Sequence, residues 1–271
     1  MTETESAGAT SSRMAELMSF TREGDTFTAR TPGASANGRL FGGLIAARAL
    51  AAAGATVDTE KLPHSLHSYF IRGGQYGVDV TLSVERVRDG KSFATRRVTV
   101  EQNDVAIFEM ICSFHRPEPG TDGHTPPVPS LALEDSVEVG TSFPLTVDFE
   151  MRGRPDDPEP FVLPPFWIRS RLPVDDDPLL RYCVLTLLSD IGPVPAARPP
   201  GTDLAELGTS KFATSLDHSI WFHRPFDPHE WHSYDITPVT TGNARGLVRG
   251  AIVNRDGVRI ASTAQEALWR E

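Results

Sequence analysis

The chain has 271 residues, of which 39% are hydrophobic and 23% are charged, a balance typical of a globular protein with ample core. This length suits one large domain or two domains of ordinary size. The formal net charge of −10 argues against a generic nucleic-acid-binding protein, so we expect no nucleic-acid partner.

The start of the chain and its cysteines indicate the cellular setting. Residues 1–13 are mostly small and polar, which predicts a disordered leader and not a signal peptide. No apolar run reaches the ~20 residues that a membrane-spanning helix needs; the longest, residues 40–54, is interrupted by Arg48. Cys112 and Cys183 each lie among apolar neighbours. We expect two buried free thiols, no membrane partner and a cytoplasmic protein, although the pattern alone leaves a disulfide open.

The first half begins with a helix and continues as an antiparallel meander. Residues 41–54 are apolar on nearly every face, which predicts a helix that other elements surround and that Gly54 ends. Asp89-Gly90 and Asn103-Asp104 are hairpin-turn signals between the segments that follow. The predicted strands are residues 64–72, 78–88, 92–101 and 105–115. This order predicts a sheet curled around the helix.

The second half repeats the order of a helix and then a meander. Residues 117–129 are rich in Pro and Gly and predict a linker. Asp177-Pro178 combines an N-cap with a proline at the first helical position, which predicts a helix over residues 178–190. A loop over residues 193–208 follows. The predicted strands are residues 166–172, 211–223, 232–240, 245–254 and 258–268. The predicted organisation is therefore a domain over 14–118, a linker over 119–160 and a domain over 161–271.

The two halves share a weak internal repeat. The run from Gly90 to about Phe114 corresponds to the run from Gly242 to about Leu268 at an offset of 152 residues. Asp104 and Asp256 then both fall in hairpin turns. Ser113 corresponds to Gln265, so the copies differ in polar chemistry at one strand position. We therefore expect a fused pair with one working site and a catalytically silent N-terminal copy.

Serine-hydrolase, metal and nucleotide chemistry fit the sequence poorly. A continuous strand over residues 211–223 places Ser215 and Asp217 on one face and His218 on the other, so Asp217 does not orient the histidine. No G-x-S-x-G elbow precedes a helix. The histidine pairs at a spacing of three lie on opposite faces of extended segments, and no Cys or carboxylate cluster has zinc spacing. The dinucleotide and P-loop fingerprints are missing, so we expect neither a metal nor a cofactor.

Three features remain as candidates for a site, each with an ordinary structural alternative. Asp190 ends an apolar helix, so it is either a costly buried carboxylate or a turn residue in water. Gln265 is a strand amide beside small residues and faces either a site or the solvent. Gly42 and Gly43 begin the first helix, where they allow either a ligand close to backbone N–H groups or close helix packing. The residue pattern leaves all three open.

Together these segments resemble the acyl-CoA thioesterase II family, the TesB-like enzymes with two hot-dog folds in one chain. The match extends from about Met14 to the C-terminus, and several long motifs occur in the same order. These motifs are residues 39–43, 64–72, 88–93, 215–226, 244–246 and 261–266. The resemblance implies an α+β double hot-dog, in which two antiparallel sheets each wrap around a long central helix.

The resemblance also implies hydrolysis of acyl-CoA thioesters to free fatty acid and CoA by direct attack of water. Family enzymes hold that water with an Asp, a Ser or Thr, and a Gln, and the matching positions are Asp190, Ser215 and Gln265. The carboxylate would accept the proton, while the hydroxyl and the amide fix the direction of attack. A hot-dog protein that binds or senses acyl-CoA without turnover is the alternative, but such a protein has no need of a water clamp. A hot-dog hydratase would need an Asp–His pair on a loop, and none is found.

Substrate binding is less well defined by the sequence. Leu44 stands where many relatives carry Gln, and residues 193–208 are proline-rich and unlike the family, so no acyl-chain preference is implied. A ligand with several phosphates needs a local basic patch on an acidic protein. The expected substrate-binding residues are Gly42, Gly43, Arg72 and Arg245, with Arg96 and Arg97 as further candidates for the CoA phosphates. We expect acyl-CoA as the partner and a homo-oligomer, either a dimer or a tetramer.

Overall fold

The described part of the chain forms one large sheet and four helices. The computed structural model describes residues 13–31, 39–125, 130–139, 148–156, 163–171, 173–174, 176–204 and 212–270. Residues 1–12 of the predicted leader lie outside the described residues. The helices are α1 (Arg13–Leu17), α2 (Gly42–Gly54), α3 (Pro178–Ser189) and α4 (Pro193–Ala196). The strands are β1 (Thr21–Glu23), β2 (Thr26–Ala29), β3 (Leu62–Phe70), β4 (Val80–Asp89), β5 (Phe93–Gln102), β6 (Val105–His115), β7 (Val137–Glu138), β8 (Phe149–Gly153), β9 (Phe166–Ser170), β10 (Phe212–Ser215), β11 (Asp217–Phe222), β12 (His232–Gly242), β13 (Arg245–Asn254) and β14 (Arg259–Arg270).

All the described strands belong to one antiparallel sheet, and its two halves meet at a central seam. The strand order is β1-β2-β4-β5-β6-β3-β11-β14-β13-β12-β9-β8-β7, and β10 also pairs with β14. At the seam β3 pairs with β11, where His67 lies opposite Ser219. These two residues are 152 positions apart, and 3.1 Å separates Nδ1 of His67 from Oγ of Ser219. The internal repeat therefore relates the two sides of this seam.

The repeat extends to the irregularities of the strands. The register of β3 on β6 shifts at His64, and a corresponding shift between β10 and β11 on β14 falls at Leu216. The register shift between Arg86 and Arg88 in β4 likewise matches the shift between Pro238 and Thr240 in β12. Bulges insert one extra residue into a strand and reverse the face of the residues beyond it. The two halves therefore share local backbone design as well as strand order.

The last strand of each half departs from the predicted offset by one residue. The turn between β5 and β6 consists of Asn103 and Asp104, both with positive φ. The turn between β13 and β14 has one residue more and ends with Gly257 at φ +76°. Thr95 pairs with Ser113 in the first half, and the corresponding Leu247 pairs with Glu266 in the second. Ser113 therefore corresponds to Glu266. The prediction that Ser113 is equivalent to Gln265 is therefore wrong. The equivalent residue is Cys112, which is buried.

The long helices lie at the predicted positions and pack against each other. Every residue of α2 from Gly43 to Ala53 is buried, and α2 also contacts β3, β4, β5 and β6. Asp177 caps α3 by accepting a hydrogen bond from the Leu179 N–H at 2.9 Å, as its sequence predicts. Gly54 at the end of α2 faces Leu179 at the start of α3, while Gly43 faces Leu187, so the two helices are antiparallel. We call the sheet face that carries them the inner face.

Three sequence predictions need correction. The stretch Pro178–Ala196 is long and apolar enough to cross a membrane by length and composition, so residues 40–54 are not the longest apolar run; 78% of its most apolar window is buried inside the protein. The expected loop over 193–208 begins with helix α4, and its residues 205–208 lie outside the described residues. The expected linker over 119–160 contributes β7 and β8 to the sheet, since β7 pairs with β8 and β8 pairs with β9.

Candidate functional site

Asp190, Ser215 and Gln265 converge on the inner face although they are far apart in the sequence. Asp190 is the residue that caps the C-terminus of α3, Ser215 ends β10, and Gln265 lies in the middle of β14. Nε2 of Gln265 lies 3.0 Å from Oδ1 of Asp190 and 2.7 Å from Oγ of Ser215. Ser215 Oγ lies 3.5 Å from the same carboxylate oxygen. One amide therefore joins a carboxylate and a hydroxyl within a single cluster.

A bulge at Leu216 brings Ser215 to this cluster. Ser215 of β10 pairs with Ala267, and Ser219 of β11 pairs with Ala264. Between these two pairs, the segment that contains β10 and β11 has one residue more than β14. The expected single strand over 211–223 is thus two strands, and its alternation reverses between them. Ser215 and His218 both face inward as a result, which corrects the prediction that they lie on opposite faces. Asp217 does not orient His218, as expected, because it accepts the Glu266 N–H at 2.6 Å.

The two glycines at the start of α2 allow this helix to meet Asp190. A Cβ atom on Gly42 would lie 2.7 Å from Oδ2 of Asp190 and 2.6 Å from the ring of Phe70. A Cβ atom on Gly43 would clash with the main-chain carbonyl of Leu187. A backbone hydrogen bond from Gly43 also reaches the Asp190 carboxylate. Close packing therefore requires both glycines, and the positive end of the α2 dipole faces the carboxylate.

Burial dominates the electrostatics of Asp190. The residue is 7% exposed, and the loss of solvent around its carboxyl group raises the pKa of that group from 3.8 to about 7. Hydrogen bonds from Gln265, Gly43 and Ser215 oppose the shift because they stabilise the ionised form. A carboxyl group with a pKa near neutrality exchanges protons readily at physiological pH, as a general base must. Of the two alternatives that the sequence left open for each residue, Asp190 is therefore a buried carboxylate and not a turn residue in water, and Gln265 faces the site and not the solvent.

Sequence reasoning missed a row of polar groups behind Gln265. His218 is fully buried, and its Nε2 lies 2.8 Å from Oγ of Ser189, the residue before Asp190. The Tyr234 hydroxyl donates to the main-chain carbonyl of Ser189 at 2.8 Å and lies 2.9 Å from Oγ1 of Thr263. Strand alternation without the bulge at Leu216 directs His218 to the outer face. Only knowledge of that bulge would have directed His218 toward Ser189.

The predicted basic residues lie in different surroundings. Arg96 is fully buried, where it contacts Thr56 and an Asp89 carboxylate oxygen at 2.6 Å, so it does not meet a ligand at the surface. Arg97 pairs with Glu85 at 2.9 Å. Arg245 pairs at 2.9 Å with Glu266, a neighbour of Gln265 in β14 whose side chain alternates to the outer face. These three arginines are thus already occupied by protein partners.

Arg72 and the unpredicted Arg39 are exposed arginines on neighbouring segments, since Arg39 forms a β-bridge with Gln75. Arg72 is exposed and donates to the Ala106 carbonyl at 2.9 Å, while Gly73 lies beside the Arg39 side chain. The guanidinium of Arg39 stacks over the ring of Phe212, 5.0 Å from its centroid and three residues before Ser215. Neither arginine forms an ion pair with any residue in the described part of the chain.

The remaining predictions about the site concern thiols and metals. Cys112 and Cys183 are free and buried, as predicted, and burial raises the pKa of the Cys112 thiol to about 12. Within the described ranges no group of three or more His, Cys, Asp or Glu residues is arranged to hold a metal ion. The expectation of a reaction without metal or cofactor stays a prediction.

Comparison with known proteins gives a consistent family. Residues 31–115 match the model of the acyl-CoA thioesterase N-terminal domain, and residues 116–269 match that of the C-terminal domain. Acyl-coenzyme A thioesterase 8 of Mus musculus is 32% identical over 260 residues, which cover 86% of this chain and 80% of that protein. Acyl-CoA thioesterase 2 of Haemophilus influenzae is 30% identical over 259 residues, covering 86% and 88%.

Solved structures agree with these relatives. The acyl-CoA thioesterase II TesB2 of Mycobacterium marinum superposes with a TM-score of 0.81 at 32% identity, covering 95% of this chain and 98% of that one. A hot-dog protein of Alicyclobacillus acidocaldarius superposes with a TM-score of 0.71 at 17% identity, covering 95% and 98%, and this likeness concerns the fold alone. The chain has a hot-dog-type antiparallel sheet and belongs to the TesB-like acyl-CoA thioesterase II family.

Proposed function

We propose that the protein hydrolyses acyl-CoA thioesters to a free acid and CoA, with Asp190, Ser215 and Gln265 as the catalytic residues. The observation that carries this proposal is the single cluster that these three side chains form, in which Asp190 and Gln265 are buried, Ser215 is half-buried and the carboxyl pKa is about 7. Family membership supplies the substrate class. The cluster supplies a group able to accept a proton and two groups able to orient a water molecule.

In the proposed reaction, water attacks the thioester carbonyl carbon while the Asp190 carboxylate accepts one of its protons. Ser215 would position that water directly, and Gln265 would do so through the two groups that its amide holds, the Asp190 carboxylate and the Ser215 hydroxyl. The tetrahedral intermediate then collapses, the carbon–sulfur bond breaks, and the proton on Asp190 returns to the departing CoA sulfur. No covalent intermediate with the protein is needed, because a thiolate is a good leaving group.

We also propose that the α2 N-terminus receives the thioester carbonyl. The first N–H groups of a helix have no partner within the helix, and they carry the positive end of its dipole. Gly42 presents such a group beside Asp190 with no side chain in the way. The Gly42 N–H would thus stabilise the negative charge that develops on the carbonyl oxygen, while the Gly43 N–H holds the Asp190 carboxylate beside it.

For the CoA phosphates we propose Arg39 together with Arg72. Arg39 stacks over Phe212 and lies beside the Gly73 that follows Arg72, and the charges of both arginines are not neutralised by described acidic residues. Arg245 stays a weaker candidate, because its pairing with Glu266 would have to break first.

The finer architecture that we propose is a double hot-dog, with α2 and α3 as the two central helices. The matched bulges of the two halves and the burial of both helices support it. The family models divide the chain at residues 115 and 116, and β8 pairs with β9, so the second unit would begin before position 161. The predicted domain bounds otherwise stay predictions.

We further propose a homo-oligomer that forms through the outer face of the sheet. Tyr69, Ile111 and Trp221 are 63%, 41% and 39% exposed on neighbouring strands at the central seam, an unusual surface for large apolar groups. Light scattering coupled to size-exclusion chromatography measures the state directly, and Trp221→Glu should shift it toward the monomer. The cytoplasmic location stays a prediction.

A chain-length series of acyl-CoA substrates tests the activity, with the released thiol measured over time. Wild-type protein should turn over at least one member of the series many times per chain. Binding without release of thiol would instead support the sensing alternative. Asp190→Asn should abolish most turnover, whereas Asp177→Asn, the same change at the other end of α3, should leave turnover intact.

A further inference from the structure

The row of buried polar side chains behind Gln265 has an order of donors and acceptors that can be worked out. His218 on β11 lies directly across from Gln265 on β14, as the pairing of the neighbouring Ser219 with Ala264 requires. Both side chains face inward and are at most 1% exposed. The row therefore continues from Asp190 through Gln265 and His218 to Ser189, whose Oγ lies 2.8 Å from the histidine ring.

The orientation of the Gln265 amide determines what it presents to His218. Both contacts to Asp190 and Ser215 are made by Nε2, which uses the two protons of the amide. Its Oε1 is therefore left facing the other way. Oε1 of Gln265 and Nδ1 of His218 are both buried without a partner at ordinary hydrogen-bond geometry, yet the two side chains lie within interaction range. A buried acceptor of this kind is costly unless a donor faces it.

Only one tautomer of His218 supplies that donor. With the proton on Nδ1 the ring donates to Oε1 of Gln265, whereas a proton on Nε2 would set two lone pairs against each other. In this tautomer Nε2 of His218 has no proton and must accept a hydrogen bond. Two acceptors lie 2.8 Å from the Ser189 hydroxyl, Nε2 of His218 and the Thr186 carbonyl, but the hydroxyl has only one proton. The Nδ1–H tautomer therefore requires Ser189 to donate that proton to Nε2 of His218.

We propose that His218 is a positioning residue, whose Nδ1–H holds Oε1 of Gln265 and so keeps the amide Nε2 directed at Asp190 and Ser215. This inference rests on the proposed function and deepens it. Gln265 and Ser189 flank His218 within the row, and Tyr234 lies beyond Ser189 against its carbonyl. Burial lowers the pKa of the imidazole to about 4, so the ring is neutral throughout the working range and exchanges no proton with substrate.

Loss of this donor should change the chemistry of Asp190 through Gln265. Without a donor at Oε1 the terminal amide is free to rotate by half a turn and to place its oxygen against the carboxylate. A hydrogen bond that stabilises the ionised form of Asp190 is then lost, so the carboxyl pKa rises further. The Ser215 hydroxyl also loses the amide that holds it, so the attacking water is positioned less well.

Two substitutions at His218 separate its two nitrogen atoms. His218→Asn places an amide N–H near the position of Nδ1 and retains the donor for Gln265. His218→Gln places its amide near the position of Nε2, so it retains the contact with Ser189 and leaves Oε1 without a donor. We expect His218→Gln to lower kcat roughly ten- to hundredfold with little change in KM, and to shift the acid limb of the pH profile upward. His218→Asn should retain most of the wild-type kcat and the wild-type acid limb.

A double-mutant cycle with Gln265→Ala tests whether His218 acts through Gln265. In the Gln265→Ala background, His218→Gln should cause no further loss of kcat. Multiplicative losses in the double variant would overturn the proposal, as would equal losses in His218→Asn and His218→Gln. If the wild type itself releases no thiol from any acyl-CoA, the proposed function fails, whatever these variants do.

The tautomer gives a readout that needs neither activity nor a stable variant. Long-range ¹H–¹⁵N correlation spectra of wild-type protein labelled with ¹³C and ¹⁵N show which ring nitrogen carries the proton, and backbone-to-side-chain assignment of the same protein identifies the His218 signal. We expect a protonated Nδ1 and an unprotonated Nε2 at neutral pH. A proton on Nε2, or a ring charged at neutral pH, would overturn the proposal even for a variant set that fails to fold.

Discussion

Replacement of Asp190 by Asn should make the protein more stable while it removes activity. The substitution keeps the size of the side chain and an oxygen that accepts the Gln265 amide, but it removes the negative charge. The buried carboxylate is costly in the native state, and its elevated pKa measures that cost. Loss of the general base should lower kcat by roughly 10²–10⁴-fold.

The magnitude and sign of the stability change follow from the two pKa values. The carboxyl has a pKa of 3.8 in the unfolded chain and about 7 in the native protein. Between these values the native state holds a proton that the unfolded state has lost, so wild-type stability falls by about 1.4 kcal/mol for each pH unit. The stability gained by Asp190→Asn should therefore grow from pH 4 to pH 7 and level off above. Its upper limit is about 4 kcal/mol, since the shift is about three units.

Urea unfolding of the wild type and Asp190→Asn at several pH values measures this difference. The matched control is Asp177→Asn, which changes an exposed cap of the same helix to another good cap and should alter neither stability nor kcat. A stability difference that is independent of pH, or that shrinks as the pH rises, would refute the reasoning. The acid limb of kcat/KM should lie near pH 7 in the wild type, because only the ionised carboxylate accepts a proton.

The other predictions concern packing, phosphate binding and the number of sites. Gly43→Ala should reduce the free energy of unfolding by about 1–3 kcal/mol, because its methyl group would meet the Leu187 carbonyl, and kcat should fall as Asp190 is displaced; an unchanged urea midpoint would contradict this. Joint replacement of Arg39 and Arg72 by Ala should raise KM for acyl-CoA and weaken its dependence on salt, with kcat unchanged; an unaltered salt dependence would assign recognition to the rest of the ligand. Titration with a non-hydrolysable acyl-CoA analogue should find one productive site per chain, and two equivalent sites would refute a silent N-terminal half.

The sequence predicted the helices and most strands because their signals are local. The cap at Asp177 and the apolar surface of α2 depend on residues within one element, and both agree with the structure. The errors arise where one residue is inserted, at Leu216 and in the turn that Gly257 closes. Each insertion reverses the face of every residue after it, and no composition signal accompanies it. The inward direction of His218 was therefore not predictable from alternation.

The same insertions explain why a repeated backbone need not produce two sites. Because both halves have the bulge, their equivalent positions face the same interior, and only the side chains differ. Pro63 and Cys112 stand where the second half has Ser215 and Gln265, so the hydroxyl and the amide are both missing. The Arg96 guanidinium fills the interior there and binds Thr56 just after α2. The buried Cys112 thiol is a single weak donor and does not replace the two N–H groups of an amide, so we expect this half to keep the frame of a site without its chemistry.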